Sequence, residues 1–63
     1  MTRKDYVAIA AELKRERFEV EAAMQTEAVN AIDRVAIGLC GLMSMDNPRF
    51  DRARFLKACG IQE

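Results

Sequence analysis

The basic residues near the carboxyl end of the chain are the side chains best suited to contact a partner. Four of them flank an aspartate and two phenylalanines: Arg49, Arg52, Arg54 and Lys57. Guanidinium groups beside aromatic rings are enriched at protein–protein interfaces, and guanidinium groups also bind phosphate. A second basic group lies nearer the start: Lys14, Arg15 and Arg17. Solvated surface, protein binding and phosphate contact are the three interpretations these residues allow, and we take all seven as candidate partner contacts.

Catalytic equipment is scarce in this sequence. Histidine, the commonest general base and metal ligand, does not occur. Two widely separated cysteines do not make a zinc site. Ser44 is the only serine, and no base near it in sequence would activate it. The sequence therefore predicts a protein that is not an enzyme and has no catalytic residue, metal or cofactor.

Charge is balanced overall but unevenly distributed. Ten basic and ten acidic residues give a net charge of zero over 63 residues, enough for one domain (1–63). Residues 1–18 carry +2, residues 19–33 carry −4, and residues 34–63 carry +2. The balance argues against a strongly basic nucleic-acid coat and against a mimic of a polyanion. The split charge favours two surfaces of opposite sign.

The two cysteines and the longest apolar run bear on location. Cys40 lies in an apolar stretch, and no secretory signal precedes it or Cys59, so buried thiols are favoured over a disulfide. The apolar run from Val35 to Met43 is shorter than the roughly 20 residues of a membrane span. These features predict a soluble, cytoplasmic protein.

Helix start and stop signals surround the C-terminal basic group. Asp51 is a good N-cap, because its carboxylate can accept from the first free amides of a helix. Phe50 and Phe55 have the spacing of a hydrophobic staple. Gly60 suits the left-handed position that follows a helix in a Schellman motif. Together these signals predict a short helix over Arg52–Cys59.

The first helix has a clear beginning and a poorly marked end. Thr2 and Asp5 have the form of a capping box. An apolar stripe at helical spacing then predicts a helix from about Arg3 to about Arg17, through Tyr6, Ile9, Ala10 and Leu13. We place the break after it near Phe18–Glu21, or as late as Thr26, which could itself be an N-cap.

The second helix is predicted to be the longest and the most apolar. Its apolar residues follow a 4-3-4-3 spacing suited to a partner helix: Ala28, Ile32, Val35, Leu39 and Leu42. Gly38 and Gly41 indicate close approach of another backbone or a slight bend, with a flexible switch as the sharper alternative. Asn47 and Pro48 end the helix. This apolar surface exceeds what the other helices can cover, so a homodimer through helix 2 is possible.

The predicted fold is an all-α, three-helix mini-domain, in which an antiparallel pair (helices 1 and 2) is closed by a short C-terminal helix. Helix 3 follows a turn, as a recognition helix does in a helix-turn-helix protein, but it is barely two turns long. A DNA-binding regulator is therefore an alternative function.

Two segments of the chain resemble known sequences. Met1–Tyr6 (MTRKDY) and Asn47–Gly60 (NPRFDRARFLKACG) are similar to the two ends of a group of small phage and prophage proteins, which differ in the middle. The two segments cover about a third of this chain. The group has no generally assigned activity. The resemblance implies a viral setting, in which small proteins often act by occupying a surface of a host protein, as inhibitors of CRISPR effectors do.

From these observations we expect a small, non-enzymatic phage protein that binds a host protein or nucleoprotein complex in the host cytoplasm. The leading expectation is a stoichiometric inhibitor of host defence of the anti-CRISPR type, with a CRISPR effector as a possible partner. A small phage DNA-binding regulator and a self-assembling structural or accessory phage protein are the alternatives. Direct nucleic-acid contact is less expected, and no membrane is.

Overall fold

Residues 1–62, which the structure describes, form three α-helices in a computed structural model of the chain. The helices are α1 (Arg3–Ala22), α2 (Thr26–Asp46) and α3 (Arg52–Ala58). The two long helices lie antiparallel, and α3 packs against both of them. The predicted all-α fold, with an antiparallel pair closed by a short helix, is confirmed.

The N-terminus of α1 is fixed by the predicted capping box. The Thr2 hydroxyl accepts from the Asp5 amide at 3.4 Å, and the Asp5 carboxylate accepts from the Thr2 amide at 2.8 Å. These two bonds satisfy donors that a helix start otherwise leaves free. The helix then continues to Ala22, past the predicted end at about Arg17, so the break expected near Phe18–Glu21 is wrong.

The turn between α1 and α2 is a Schellman motif with methionine where glycine is usual. The Gln25 amide donates to the Val20 carbonyl at 2.9 Å, and the Met24 amide donates to the Glu21 carbonyl at 3.0 Å. Met24 has a φ of 60°, in the left-handed region that most side chains avoid. The later predicted boundary, at Thr26, agrees better with the structure, because α2 begins at Thr26. The N-cap is nevertheless Gln25, which makes no side-chain capping bond.

The capping and packing interactions predicted at the two ends of α3 all occur in the structure. The Asp51 carboxylate accepts from the Arg54 amide at 3.0 Å, and the Phe50 and Phe55 ring centroids lie 5.5 Å apart. Gly60 has a φ of 84°, and the Ile61 amide donates to the carbonyl of Leu56 at 2.9 Å, which completes a second Schellman motif. This short helix is therefore held at both ends.

The core lies at the end of the hairpin where α3 packs. Its fully buried residues come from all three helices: Ala10, Ala36, Cys40, Met43, Phe55, Leu56, Cys59 and Ile61. Half of them belong to α3 and the residues just after it, so the short helix closes the core of the long pair. Both cysteines are buried in this core, and no disulfide joins them.

The apolar face of α2 is rotated from the predicted one. Ala36, Cys40 and Met43 face the core, whereas Val35 is 54% exposed and Leu42 is 64% exposed. The predicted seam is therefore wrong at these last two positions. The predicted close approach of a backbone at the two glycines of α2 does not occur within residues 1–62, because a Cβ added at either one would meet nothing within 4 Å.

By length and composition, α2 also resembles a membrane span. Among the described residues it is the one helix that meets both criteria, with a mean hydropathy of 1.3. The signal is weak, because the central helix of a soluble protein meets the same criteria. In addition, Asp33 in the middle of α2 forms an ion pair with Arg17 of α1.

Candidate functional site

A groove of about 510 Å³ lies between the start of α1 and the start of α3. We call it the arginine groove. It combines cationic side chains with an aromatic and aliphatic surface, and the residues that define it are Arg3, Tyr6, Val7, Arg49, Phe50 and Arg54.

Packed aromatic rings form the floor of the arginine groove. The rings of Tyr6 and Phe50 meet edge to face, with centroids 5.1 Å apart and planes inclined at 68°. Phe50 in turn packs against Phe55, which is buried in the core. Such ring pairs favour an edge-on geometry because of their quadrupoles. The floor is therefore continuous with the hydrophobic core.

A tight turn between α2 and α3 places Arg49 beside this floor. The Asn47 side-chain oxygen accepts from the Arg49 amide at 3.0 Å, and the Asn47 carbonyl accepts from the Phe50 amide at 3.0 Å. Pro48 occupies the second position of the turn, where its fixed φ fits. The turn holds Arg49 and Phe50 in a defined relation, so a cation and a ring are presented together.

The cations of the arginine groove have no ion-pair partner among residues 1–62. Within residues 1–62, no salt bridge involves Arg3, Arg49 or Arg54. All three residues are exposed. Asp51, the acidic residue at the edge of the groove, already accepts a backbone bond as the N-cap of α3. The groove therefore offers three guanidinium groups to an outside acceptor.

One end of the groove is fastened to α2 by Asp46. This carboxylate accepts from the amino group of Met1 at 2.9 Å and from the hydroxyl of Tyr6 at 3.3 Å. The bond to the ammonium group holds the pKa of Asp46 below its usual value and raises the pKa of the Met1 amine. Burial of the ring is the main reason why the pKa of Tyr6 is raised. The N-terminus and Tyr6 are thus positioned together.

The remaining predicted contacts on α3 lie outside this groove. Lys57 lines a second depression of about 360 Å³, next to Ile61 and Gln62. Arg52 is exposed and lines neither depression. The structure therefore brings Arg49 and Arg54 together with Arg3, and separates Arg52 and Lys57 from them.

Two of the three predicted basic residues on α1, Arg15 and Arg17, form ion pairs within the chain. The Arg15 guanidinium forms salt bridges with three glutamates of its own helix: Glu12, Glu16 and Glu19. Arg17 bonds to Asp33 at 2.8 Å and to Glu21 at 3.3 Å. The Lys14 stem approaches Gly60, with its Cγ 3.7 Å from where a Cβ would lie. Arg15 and Arg17 would exchange these bonds for any partner contact.

Sequence reasoning missed Arg3 and Tyr6 as members of the groove. Arg3 was named only as the approximate start of the first helix, and Tyr6 only as part of its apolar stripe. The available signal was the pair of segments near the two ends that the sequence analysis singled out, Met1–Tyr6 and Asn47–Gly60. Nine of the eleven residues that line the groove belong to these two segments. Segments far apart in sequence thus meet at one surface.

Comparison with known proteins adds no relative. No protein-family model, curated protein or solved structure matches the chain.

The arrangement is suited to binding by charge and apolar contact. Guanidinium groups bind carboxylates in a bidentate fashion, and aromatic rings provide apolar contact area with few rotatable bonds. A segment that carries acidic and apolar side chains would satisfy both parts of the groove. Within residues 1–62, no three side chains of the metal-binding types lie together.

Proposed function

We propose that this chain is a small, non-enzymatic binding protein whose docking surface is the arginine groove. The observation that carries the proposal is a set of three cations, none with an ion-pair partner among residues 1–62, around a floor of packed rings. Arginine and aromatic residues dominate the binding energy of many protein interfaces. The partner is a protein, bound through an acidic segment with at least one large apolar side chain.

The setting in this proposal is a phage-infected bacterial cytoplasm, and the role is stoichiometric inhibition of a host defence complex of the anti-CRISPR type. Its support is the resemblance of the two terminal segments to phage proteins, together with the position of those segments around the groove. A surface that must fit one partner constrains the residues that form it.

A capture experiment with two matched charge reversals tests the docking surface. Tagged protein is incubated with a bacterial host lysate, with and without nuclease, and bound proteins are identified by mass spectrometry. The groove variant is R49E/R54E, and the control is R52E/K57E. Both variants change the net charge by the same amount and carry a substitution in α3, but only the first alters the arginine groove.

We expect wild type and the control to retain a defined host protein after nuclease treatment, and the groove variant to lose it. Circular dichroism checks that both variants keep their helix content. Loss of the partner only in R52E/K57E would place the contact on the outer face of α3 and contradict the groove assignment. Equal retention by all three proteins would do the same.

The nuclease arm separates the DNA-binding alternative. A regulator that binds duplex DNA would recover only nucleic acid, lose it on nuclease treatment, and bind with a steep dependence on salt. Two observations count against this alternative: α3 has seven residues, and the chain has no net charge.

A further inference from the structure

The second long helix exposes an apolar surface that the fold does not use. On the side of α2 away from the core, four residues at 3-4-3 spacing form what we call the outer seam: Val35, Gly38, Leu42 and Met45. Met45 is 84% exposed, more than either Val35 or Leu42. No charged residue occurs from position 35 to position 45. A seam of this kind is typical of a helix that packs against another helix.

The surface area of the chain indicates that something covers this seam. The accessible surface is 4735 Å² for a chain of 7.1 kDa. A compact monomer of that mass exposes about 4,100 Å² by the usual scaling. The excess, about 600 Å², approaches the roughly 800 Å² that each partner contributes to a standard interface. The molecule is also elongated, at 36 × 18 × 15 Å. One added helical layer would remove the excess.

The order of large and small residues along the seam identifies a second copy as the cover. In an antiparallel pair of α2 helices that cross at position 40, residue 42 of each copy faces residue 38 of the other, and residue 35 faces residue 45. Leu42 then lies over Gly38, and Val35 lies against Met45. Large residues opposite small ones allow two helix surfaces to interlock. The seam is therefore complementary to itself.

A parallel pair would match the seam less well. Each residue would then face its own copy, so Gly38 would face Gly38 and Leu42 would face Leu42. The glycine layer would leave a void, and voids in packed interfaces are costly. Because a Cβ at Gly38 meets nothing within 4 Å, the space above it is open to a side chain from outside.

We propose that the chain forms an antiparallel homodimer through the outer seam of α2, with Leu42 of each copy seated on Gly38 of the other. The interface lies on the side of α2 away from the core, and none of its four residues lines the arginine groove. Each dimer therefore presents two such grooves.

Sedimentation equilibrium at micromolar concentrations tests the interface with three variants. G38Q fills the space for Leu42, L42Q removes the apolar side chain that fills it, and I37Q is the control. Ile37 is 44% exposed on α2 but lies outside the seam. We expect the wild type to be a dimer. The dissociation constant should rise by at least about a hundredfold in G38Q and L42Q, and change by less than about threefold in I37Q. A monomeric wild type would overturn the proposal.

Cysteine cross-linking tests the antiparallel register. Both native cysteines are buried, so they do not compete. V35C and M45C are prepared separately, then mixed under mild oxidation. We expect a disulfide between the two variants in the mixture and little self-linking of either one. Efficient self-linking of each variant would indicate a parallel pair and contradict the register.

A lipid surface is the competing cover for an apolar helix face. Co-sedimentation with uncharged phosphatidylcholine vesicles distinguishes it. We expect the protein to remain in the supernatant, because its seam is occupied by the second copy. Vesicle binding that L42Q abolishes and I37Q preserves would assign the face to lipid and overturn the dimer.

Discussion

Arg17 of α1 and Asp33 of α2 form an ion pair across the two long helices, with 2.8 Å between Nε and Oδ1. Their side chains are 21% and 25% exposed. Every other side chain or terminus in a salt bridge within residues 1–62 is at least 35% exposed. The bond to Asp33 raises the pKa of Arg17. The ion pair lies in the part of the hairpin between the core and the α1–α2 turn, and no residue in that part is fully buried. This pair therefore sets the relation of the long helices beyond the core.

We expect R17M or D33A to lower the free energy of unfolding by about 1–2 kcal/mol, between the values typical of exposed ion pairs and of charged hydrogen bonds away from water. The double variant should lose less than the sum of the two, as measured by urea unfolding in a double-mutant cycle. The matched control is Arg15 with Glu19, which are 55% and 60% exposed. Their coupling should stay below about 0.5 kcal/mol. Equal coupling for both pairs would contradict a special role for Arg17.

The left-handed residues of the two Schellman motifs give a pair of opposite predictions. M24G should raise the free energy of unfolding by up to about 1 kcal/mol, because glycine relieves the positive φ and the methionine side chain is 89% exposed. G60A should lower it by about 1–2 kcal/mol. The nearest atom to the added Cβ is 3.7 Å away, so the loss comes from the backbone and not from a clash. Thermal unfolding compares the two, and a destabilised M24G would refute the strain argument.

The N-cap of α3 should matter more than its length suggests. D51A removes the acceptor of the Arg54 amide and should cost about 1 kcal/mol. Phe55 and Leu56 of this helix are buried in the core, so hydrogen exchange in Ala36, Cys40 and the rest of the core should accelerate together with that of α3. T2A is the control variant: it removes the corresponding capping bond of α1, which is longer, at 3.4 Å. Faster exchange confined to α3 would show that its cap does not support the core.

Burial raises the pKa of the Cys59 thiol to about 11. An unfolded cysteine titrates near 9, so the folded state holds its proton more tightly. This contribution to stability is complete below about pH 9 and is lost as the pH rises towards 11. The loss should be on the order of 2–3 kcal/mol. Denaturant unfolding at a series of pH values measures it. C59A should be less stable at neutral pH but lack this part of the decline; an unchanged slope would assign the decline to other groups.

Local signals predicted the ends of the helices wherever the chain uses the usual residues. The capping box at Thr2, the N-cap at Asp51 and the glycine at position 60 were all read from sequence and occur as expected. The turn at Met24 was missed because its backbone conformation normally calls for glycine. Backbone hydrogen bonds hold Met24 in this conformation, and no residue type in the sequence predicts these bonds.

The position of the helices around one another was less predictable. Spacing alone allowed two apolar faces on α2, and the fold uses the one that includes Ala36 and Cys40 rather than Val35 and Leu42. Part of the arginine groove was predicted, through Arg49 and Arg54. Arg3 was not, because its neighbours in the groove come from the other end of the sequence and only tertiary packing brings them close.

Sulfur is concentrated in the interior: three of the eight core residues are Cys40, Met43 and Cys59. Oxidation would convert these apolar groups into polar ones, for which the surrounding aliphatic and aromatic side chains provide few partners. These three residues are at most 3% exposed in the folded state, so an oxidant in solution should reach their sulfur atoms only when the core opens. The rate at which the core is oxidised should therefore depend on how often α3 detaches from it. Variants with a weakened α3 should be oxidised faster in air than their melting temperatures alone suggest.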